Sequence, residues 1–133
     1  MTIEEKIEFA KTSTSSETLD KLADYESRFV RWNVAENENT SVETLDKLAN
    51  DEYDDIRRGV AWNKNTSVET LDKLADDEEC LVFREVYNNL KTSKETLLKI
   101  EKREEICKKC QFYNVFPKSL LVCPYKFEHE ILR

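Results

Sequence analysis

Four residues near one end of the chain carry donor chemistry for a metal. Cys107, Cys110, Cys123 and His129 are spaced C-x2-C-x12-C-x5-H. Two thiolates separated by two residues can grip one ion from a tight turn, and a second segment can add sulfur and nitrogen. That donor set suits zinc in a Cys3His site. Pro124 directly follows Cys123, as in the Cys-Pro pairs of cluster-binding proteins, so an iron–sulfur cluster with Cys80 as fourth thiolate is the second option. A metal-free reading stands beside both. Aligning Leu121 with Leu97 turns residues 106–122 into a decayed repeat, with Cys110 a small core residue and Pro117 in a first helical turn. Cys80, next to Leu81 and Val82, then reads as buried filler.

Catalytic arrangements are harder to assemble. His129 is the single histidine, which removes Ser-His and Cys-His pairs from the rest of the chain. Asp51, Asp54 and Asp55 lack the spacing and glycine of a calcium loop, and Gly59, the one glycine, cannot build a phosphate cradle. The expectation is a protein that is not an enzyme.

The segments that would position any such group are strongly periodic. TSVETLDKLA occurs at residues 40–49 and 66–75, with TSSETLDKLA at 14–23 and TSKETLLKIE at 92–101. Thr14, Thr40, Thr66 and Thr92 therefore recur at one constant interval. A period of this size marks units too small to bury their own apolar face, so that stacking supplies the core. Each Thr precedes a Glu by three residues, which predicts a capping box for a short helix. Glu43 and Glu69 lie four before Lys47 and Lys73, the favourable order for an ion pair on one helix. Val42, Leu45, Leu48 and Ala49 form one apolar stripe, repeated as Val68, Leu71, Leu74 and Ala75, and Leu19, Leu45, Leu71 and Leu97 are expected at equal depth. A second helix precedes each Thr, with Val30, Val34 and Ala35, then Ile56, Val60 and Ala61, then Val82, Val86 and Tyr87 facing inward. Asn37, Asn63 and Asn89 share one repeat position and read as a structural ladder that ends helices or bonds backbone in turns. Arg31 and Arg57, with Arg84 one place later, are placed to reach a neighbouring unit's carboxylate or helix end.

Val30–Ala49 (VRWNVAENENTSVETLDKLA) and Ile56–Ala75 (IRRGVAWNKNTSVETLDKLA) resemble units of the leucine-rich repeat variant family. The resemblance spans about residues 14–100 and implies a right-handed superhelix alternating α- and 3₁₀-helices, without β-strands. Ser15, Ser41, Ser67 and Ser93 stand where that family usually has proline, and the unit is slightly longer than the family's own. The second segment is therefore expected to be a fuller α-helix, with HEAT-like packing as the structural rival. The predicted architecture is an all-α, right-handed α-solenoid of about four two-helix repeats. Residues 1–102 form the repeat body and 103–133 a distinct C-terminal cap.

Composition limits the partners. Charged residues make up 37% of the 133-residue chain and hydrophobic ones 39%, too apolar for a disordered tail. Residues 1–90 hold 11 Lys/Arg against 22 Asp/Glu, whereas residues 91–133 hold 10 against 6. An acidic body repels nucleic acid and anionic membrane. No apolar run approaches the roughly 20 residues that cross a bilayer, and MTIEEKIEFAK has no secretory pattern. The expected address is cytoplasmic, with no membrane contact. A non-catalytic scaffold for a protein partner is the leading expectation, with Trp62, Trp32 and Arg58 as binding residues. Trp62 aligns with Glu36 and Asn88, and Trp32 with Arg58 and Arg84, so each indole replaces polar counterparts. The alternative is a nucleic-acid-associated module using Lys108, Lys109, Lys118 and Lys126 of the basic end.

Overall fold

Short amphipathic segments of two or three turns cannot hold themselves as helices in water; they form where neighbours cover their apolar side. The computed structural model of the chain describes residues 1–109, and in it the segments pair and repeat. Their order is α1 (Ile3–Thr12), α2 (Ser16–Leu22), α3 (Arg28–Glu36), α4 (Val42–Leu48), α5 (Asp54–Trp62), α6 (Val68–Leu74), α7 (Cys80–Asn88) and α8 (Lys94–Lys109). The architecture is all-α among the described residues, and both helices of each pair are α-helical. Helices α1, α3, α5 and α7 pack on one another in succession, and α4 and α6 each pack against the odd-numbered helices on either side.

The core is one continuous cluster in which equivalent residues recur. Leu19, Leu45 and Leu71 are fully buried under the even-numbered helices, and Val30, Val34, Ile56, Val60, Val82 and Val86 under the odd-numbered ones. The expected stripe needs two corrections. Val42 and Val68 are 41% and 44% exposed, and the buried place beside the leucines goes to Thr44 and Thr70. Leu97 is only half-buried, unlike its three equivalents, while Thr96 and Ile100 face the core. Tyr87 also departs, at 42% exposed where Ala35 and Ala61 are buried.

The caps differ from the expected box by one residue. Ser15, Ser41, Ser67 and Ser93 accept the backbone N–H of Thr18, Thr44, Thr70 and Thr96, so serine caps each even-numbered helix. The preceding threonine closes the helix before it: the Thr40 and Thr66 hydroxyls donate to the carbonyls of Val34 and Val60, both at 2.6 Å. A capping box does form at the first helix, between Thr2 and Glu5.

Units are joined by polar ladders. The Asn63 amide donates to the carbonyls of Ala35 and Asn37 at 2.8 and 2.9 Å, and its oxygen accepts from the Asn65 N–H. Asn37 and Asn89 repeat this with Ala10 and Ser13, and with Ala61 and Asn63. All three have negative φ, so the ladder works through side-chain amides and not through left-handed caps. Arg31 and Arg57 reach the next unit, each gripping a carboxylate with two nitrogens: Arg31 holds Asp51 at 2.7 and 3.3 Å, and Arg57 holds Asp77 at 2.8 and 3.2 Å. A third ladder has no counterpart among the sequence expectations. The Thr44 and Thr96 hydroxyls donate to Asp20 and Asp72 of the preceding unit at 2.9 Å, and Thr70 does so to Asp46. Lys47 crosses the same seam to Asp20 and Asp24, and Lys99 to Asp72 and Asp76, whereas Lys21 forms its pair within one helix, with Glu17.

Candidate functional site

Among the described residues, one side of the stacked helices α3, α5 and α7 is left uncovered. On a helix, residues spaced by three, four and seven share a face. Phe29, Trp32 and Glu36 follow that spacing on α3, as do Asp55, Arg58, Gly59 and Trp62 on α5. The repeat period then sets α5 beside α3 in register, so Trp32 lies level with Arg58 and Glu36 with Trp62. The three expected binding residues, Trp32, Arg58 and Trp62, therefore line a single groove, together with Phe29, Glu36, Asp55, Gly59 and Glu85.

Gly59 forms part of the groove floor for a steric reason. A Cβ there would stand 3.1 Å from Cβ of Ala35 and 3.4 Å from Cγ of Glu36, so the bare backbone lets α5 lie close to α3. Trp32 is half-buried and packs against the core, whereas Trp62 is 59% exposed. Phe29, at 55% exposed, has the Arg28 guanidinium over its ring at 5.5 Å.

Charge in the groove is arranged as two ion pairs and one further carboxylate, that of Glu36. Arg58 meets Glu85 at 3.3 Å, and Arg28 meets Asp55 at 3.1 Å from outside the groove lining. The other Asp55 oxygen, Oδ1, is buried and accepts no hydrogen bond among the described residues. Glu36 keeps part of its surface in water, yet the groove walls remove enough hydration to hold its carboxyl above the ordinary value. Arg58 opposes that rise, Glu85 adds to it by repulsion, and the Trp32 side chain opposes it as a hydrogen-bond partner.

A second depression continues past Trp62. It shares Trp62 and Glu85 with the first and is extended by Asn88, Leu90 and two lysines, Lys64 and Lys91. Leu90 is fully exposed.

Glu36, Glu85, Phe29 and Gly59 were not among the expected site residues. Combining the helical spacing with the repeat register would have found them. Arg57, by contrast, is the inter-unit staple described above and takes no part in the groove.

The expected metal set falls elsewhere. Cys107 is on the last turns of α8, and the side-chain arrangement of Cys107, Cys110, Cys123 and His129 lies outside the described residues, as do Lys108, Lys109, Lys118 and Lys126. Cys80 is buried in the core at the start of α7, as the filler reading expects. Among the described residues no cluster of three or more His, Cys, Asp or Glu side chains is arranged to hold a metal, and Asp51 and Asp55 are engaged by Arg31 and Arg28. No helix among them is long and apolar enough to cross a membrane.

Comparison with protein families, with curated proteins and with solved structures finds no match to this chain.

Proposed function

We propose that the chain is a non-catalytic scaffold for protein–protein interaction, and that the groove of Trp32, Arg58 and Trp62 is its binding face. The observation that carries this reading is the exposure of Trp62, an indole 59% in contact with water at the junction of two depressions on the uncovered side of three stacked helices. Aromatic side chains so placed give large, rigid contact area at low entropic cost and are common anchors of interfaces. The repeat body supplies the rigidity: the core and the polar ladders fix the helices, while residues on the open face can vary without disturbing either.

The same reading extends to the fold. The repeat period, carried into successive helix pairs, supports a right-handed solenoid of about four units, related to the leucine-rich repeat variant family; the boundary expected at residue 103 falls inside α8 (Lys94–Lys109). The test of function is retention of cellular protein by immobilised wild type and by Trp62→Ala, with helicity followed by circular dichroism. Loss of a retained protein at unchanged helicity supports the scaffold. Retention of polynucleotide in its place, collapsing between about 50 and 200 mM salt, would replace it with the nucleic-acid reading.

A further inference from the structure

We infer that the groove receives an extended peptide segment of a partner protein by inserting an arginine or lysine side chain between Trp32 and Trp62, with Glu36 as its counter-charge. This rests on the scaffold reading and adds the chemistry of the partner.

Charge complementarity is the first argument. Three carboxylates line the groove, those of Glu36, Asp55 and Glu85, but Asp55 is paired with Arg28 at 3.1 Å, so the acidic excess falls on Glu36. Arg58 is committed to Glu85 at 3.3 Å, which leaves Glu36 with no cation in direct contact among the described residues. The partial loss of hydration at Glu36 is only partly offset by the field of Arg58 and the Trp32 hydrogen bond, and an arriving cation would relieve the remaining cost. An acidic ligand would meet the same groups as repulsion. The repeat body around it, with 22 Asp/Glu against 11 Lys/Arg in residues 1–90, draws basic partners over a longer range.

The walls give the second argument. Indole faces attract cations through their negative quadrupole, most strongly where water is partly excluded. Both tryptophans of the chain are in this one groove, a half-buried Trp32 and an exposed Trp62. Elsewhere the protein already pairs cations with rings: Lys6 lies 3.7 Å from the Tyr25 centroid, and Arg28 lies 4.8 Å from that of Tyr53. The depression beyond Trp62 explains why the ligand is a peptide and not a free amine. There the lining changes to the Asn88 amide, the exposed Leu90 and two lysines, which suits backbone and neutral or acidic side chains following the basic one.

Because the chain holds two tryptophans, its ¹⁵N–¹H spectrum has two indole signals, and both report on the groove. The probe is acetyl-Gly-Ser-Arg-Gly-Ser-Arg-Gly-Ser-amide, titrated into the full chain beside the same peptide with glutamine at both arginine positions. The expected result is saturable movement of both indole signals with the arginine peptide and at least fivefold weaker binding of the glutamine peptide. Trp62→Ala and Glu36→Gln, both at solvent-exposed positions, should each weaken the arginine peptide about three- to tenfold, as loss of one cation–π or charge contact implies. Equal affinity for the two peptides overturns the inference, as does an absence of indole movement at millimolar peptide. In either case, a cellular protein that Trp62→Ala still fails to retain leaves the scaffold standing and removes only the basic side chain. If Trp62→Ala retains the same proteins as wild type, the scaffold reading falls as well.

Discussion

Replacing Asn63 probes the ladder at its best-defined rung. The side chain is 1% exposed and makes three hydrogen bonds: its amide donates to the carbonyls of Ala35 and Asn37, at 2.8 and 2.9 Å, and its oxygen accepts the Asn65 N–H at 2.9 Å. Each such bond contributes about 1 kcal/mol net, and a buried partner left unmet costs about 1–3 kcal/mol. Asn63→Ala removes all three and strands the Ala35 carbonyl, while the Asn37 carbonyl keeps the Thr40 N–H at 3.1 Å, which gives an expected loss of roughly 3 kcal/mol. Asn63→Asp separates shape from chemistry. It is nearly isosteric and can still accept from Asn65, but it aims a carboxylate at two carbonyl oxygens in a buried site. Its cost should equal or exceed that of alanine, and should shrink at low pH, where the protonated acid can donate one bond. Urea unfolding followed by circular dichroism at pH 7 and near pH 4 measures both variants. An Asn63→Asp protein within about 0.5 kcal/mol of wild type at pH 7, which is the scatter of an ordinary surface change, would refute the account of the ladder.

Other perturbations test other contacts. Leu71→Ala, at a fully buried position, should cost about 2–5 kcal/mol by lost burial and a residual cavity, whereas Val68→Ala on the same helix, 44% exposed, should cost less than about 1 kcal/mol; thermal or urea unfolding compares them. Arg57→Leu leaves the Asp77 carboxylate, 8% exposed, without its guanidinium and should cost about 3 kcal/mol, and adding Asp77→Asn should recover part of that loss in a double-mutant cycle. Acid should loosen the seam between even-numbered helices. Asp20 is held below its ordinary value by the Thr44 hydroxyl and Lys47, and Asp72 by Lys99 and the Thr96 hydroxyl. A carboxyl that binds protons less readily when folded contributes stability above its unfolded value, about 3.8, and loses that stability as the pH falls through the lower folded value. Asp20→Asn should therefore flatten the acid limb of the stability profile and leave the alkaline limb unchanged.

Features confined to one unit, or repeated at one position, were legible in the sequence. The Asn ladder is the clearest case. Three asparagines at one repeat position imply one shared task, and bonding backbone in a turn is a task suited to asparagine. The caps were less legible because Thr and Ser are adjacent in every unit and either hydroxyl can cap a helix. What decides between them is the carbonyl at the end of the preceding helix, which claims the threonine. Val42 and Val68 were misplaced for a similar reason: they lie at the margin of the stripe, and a buried Thr44 or Thr70 is tolerable because its hydroxyl is bonded both by the cap serine of its own helix and by an aspartate of the preceding unit. The two partners of each cross-unit bond belong to different repeats, so no single unit reveals them. In the candidate site, the two indoles were visible as breaks in the repeat, but Glu36 and Glu85 looked like ordinary surface acids until the stacking set them beside the groove.

Position 83 shows how geometry can preserve what the period loses. Arg31 and Arg57 each bond a backbone carbonyl at the start of their own unit, those of Tyr25 and Asp51, besides gripping the next unit's aspartate. The register places a third arginine at position 83, where the chain has Phe83, 1% exposed and buried in the core. The corresponding carbonyl is that of Asp77, and it does not go without a guanidinium. Arg103, on α8, donates to it at 2.8 Å and also to the carbonyl of Ala75, with its charged plane 4.2 Å above the Phe83 ring. The ring gives that guanidinium a flat face to stack on, and α8 can deliver it because the helix continues past the length of its equivalents. Where α4 and α6 end at Leu48 and Leu74, before Ala-Asn-Asp and Ala-Asp-Asp, α8 meets Glu101, Lys102 and Arg103, which favour helix, and runs to Lys109. The substitution at 83 and the extension of α8 are thus two parts of one arrangement, which closes the last of the three arginine sites from a different helix.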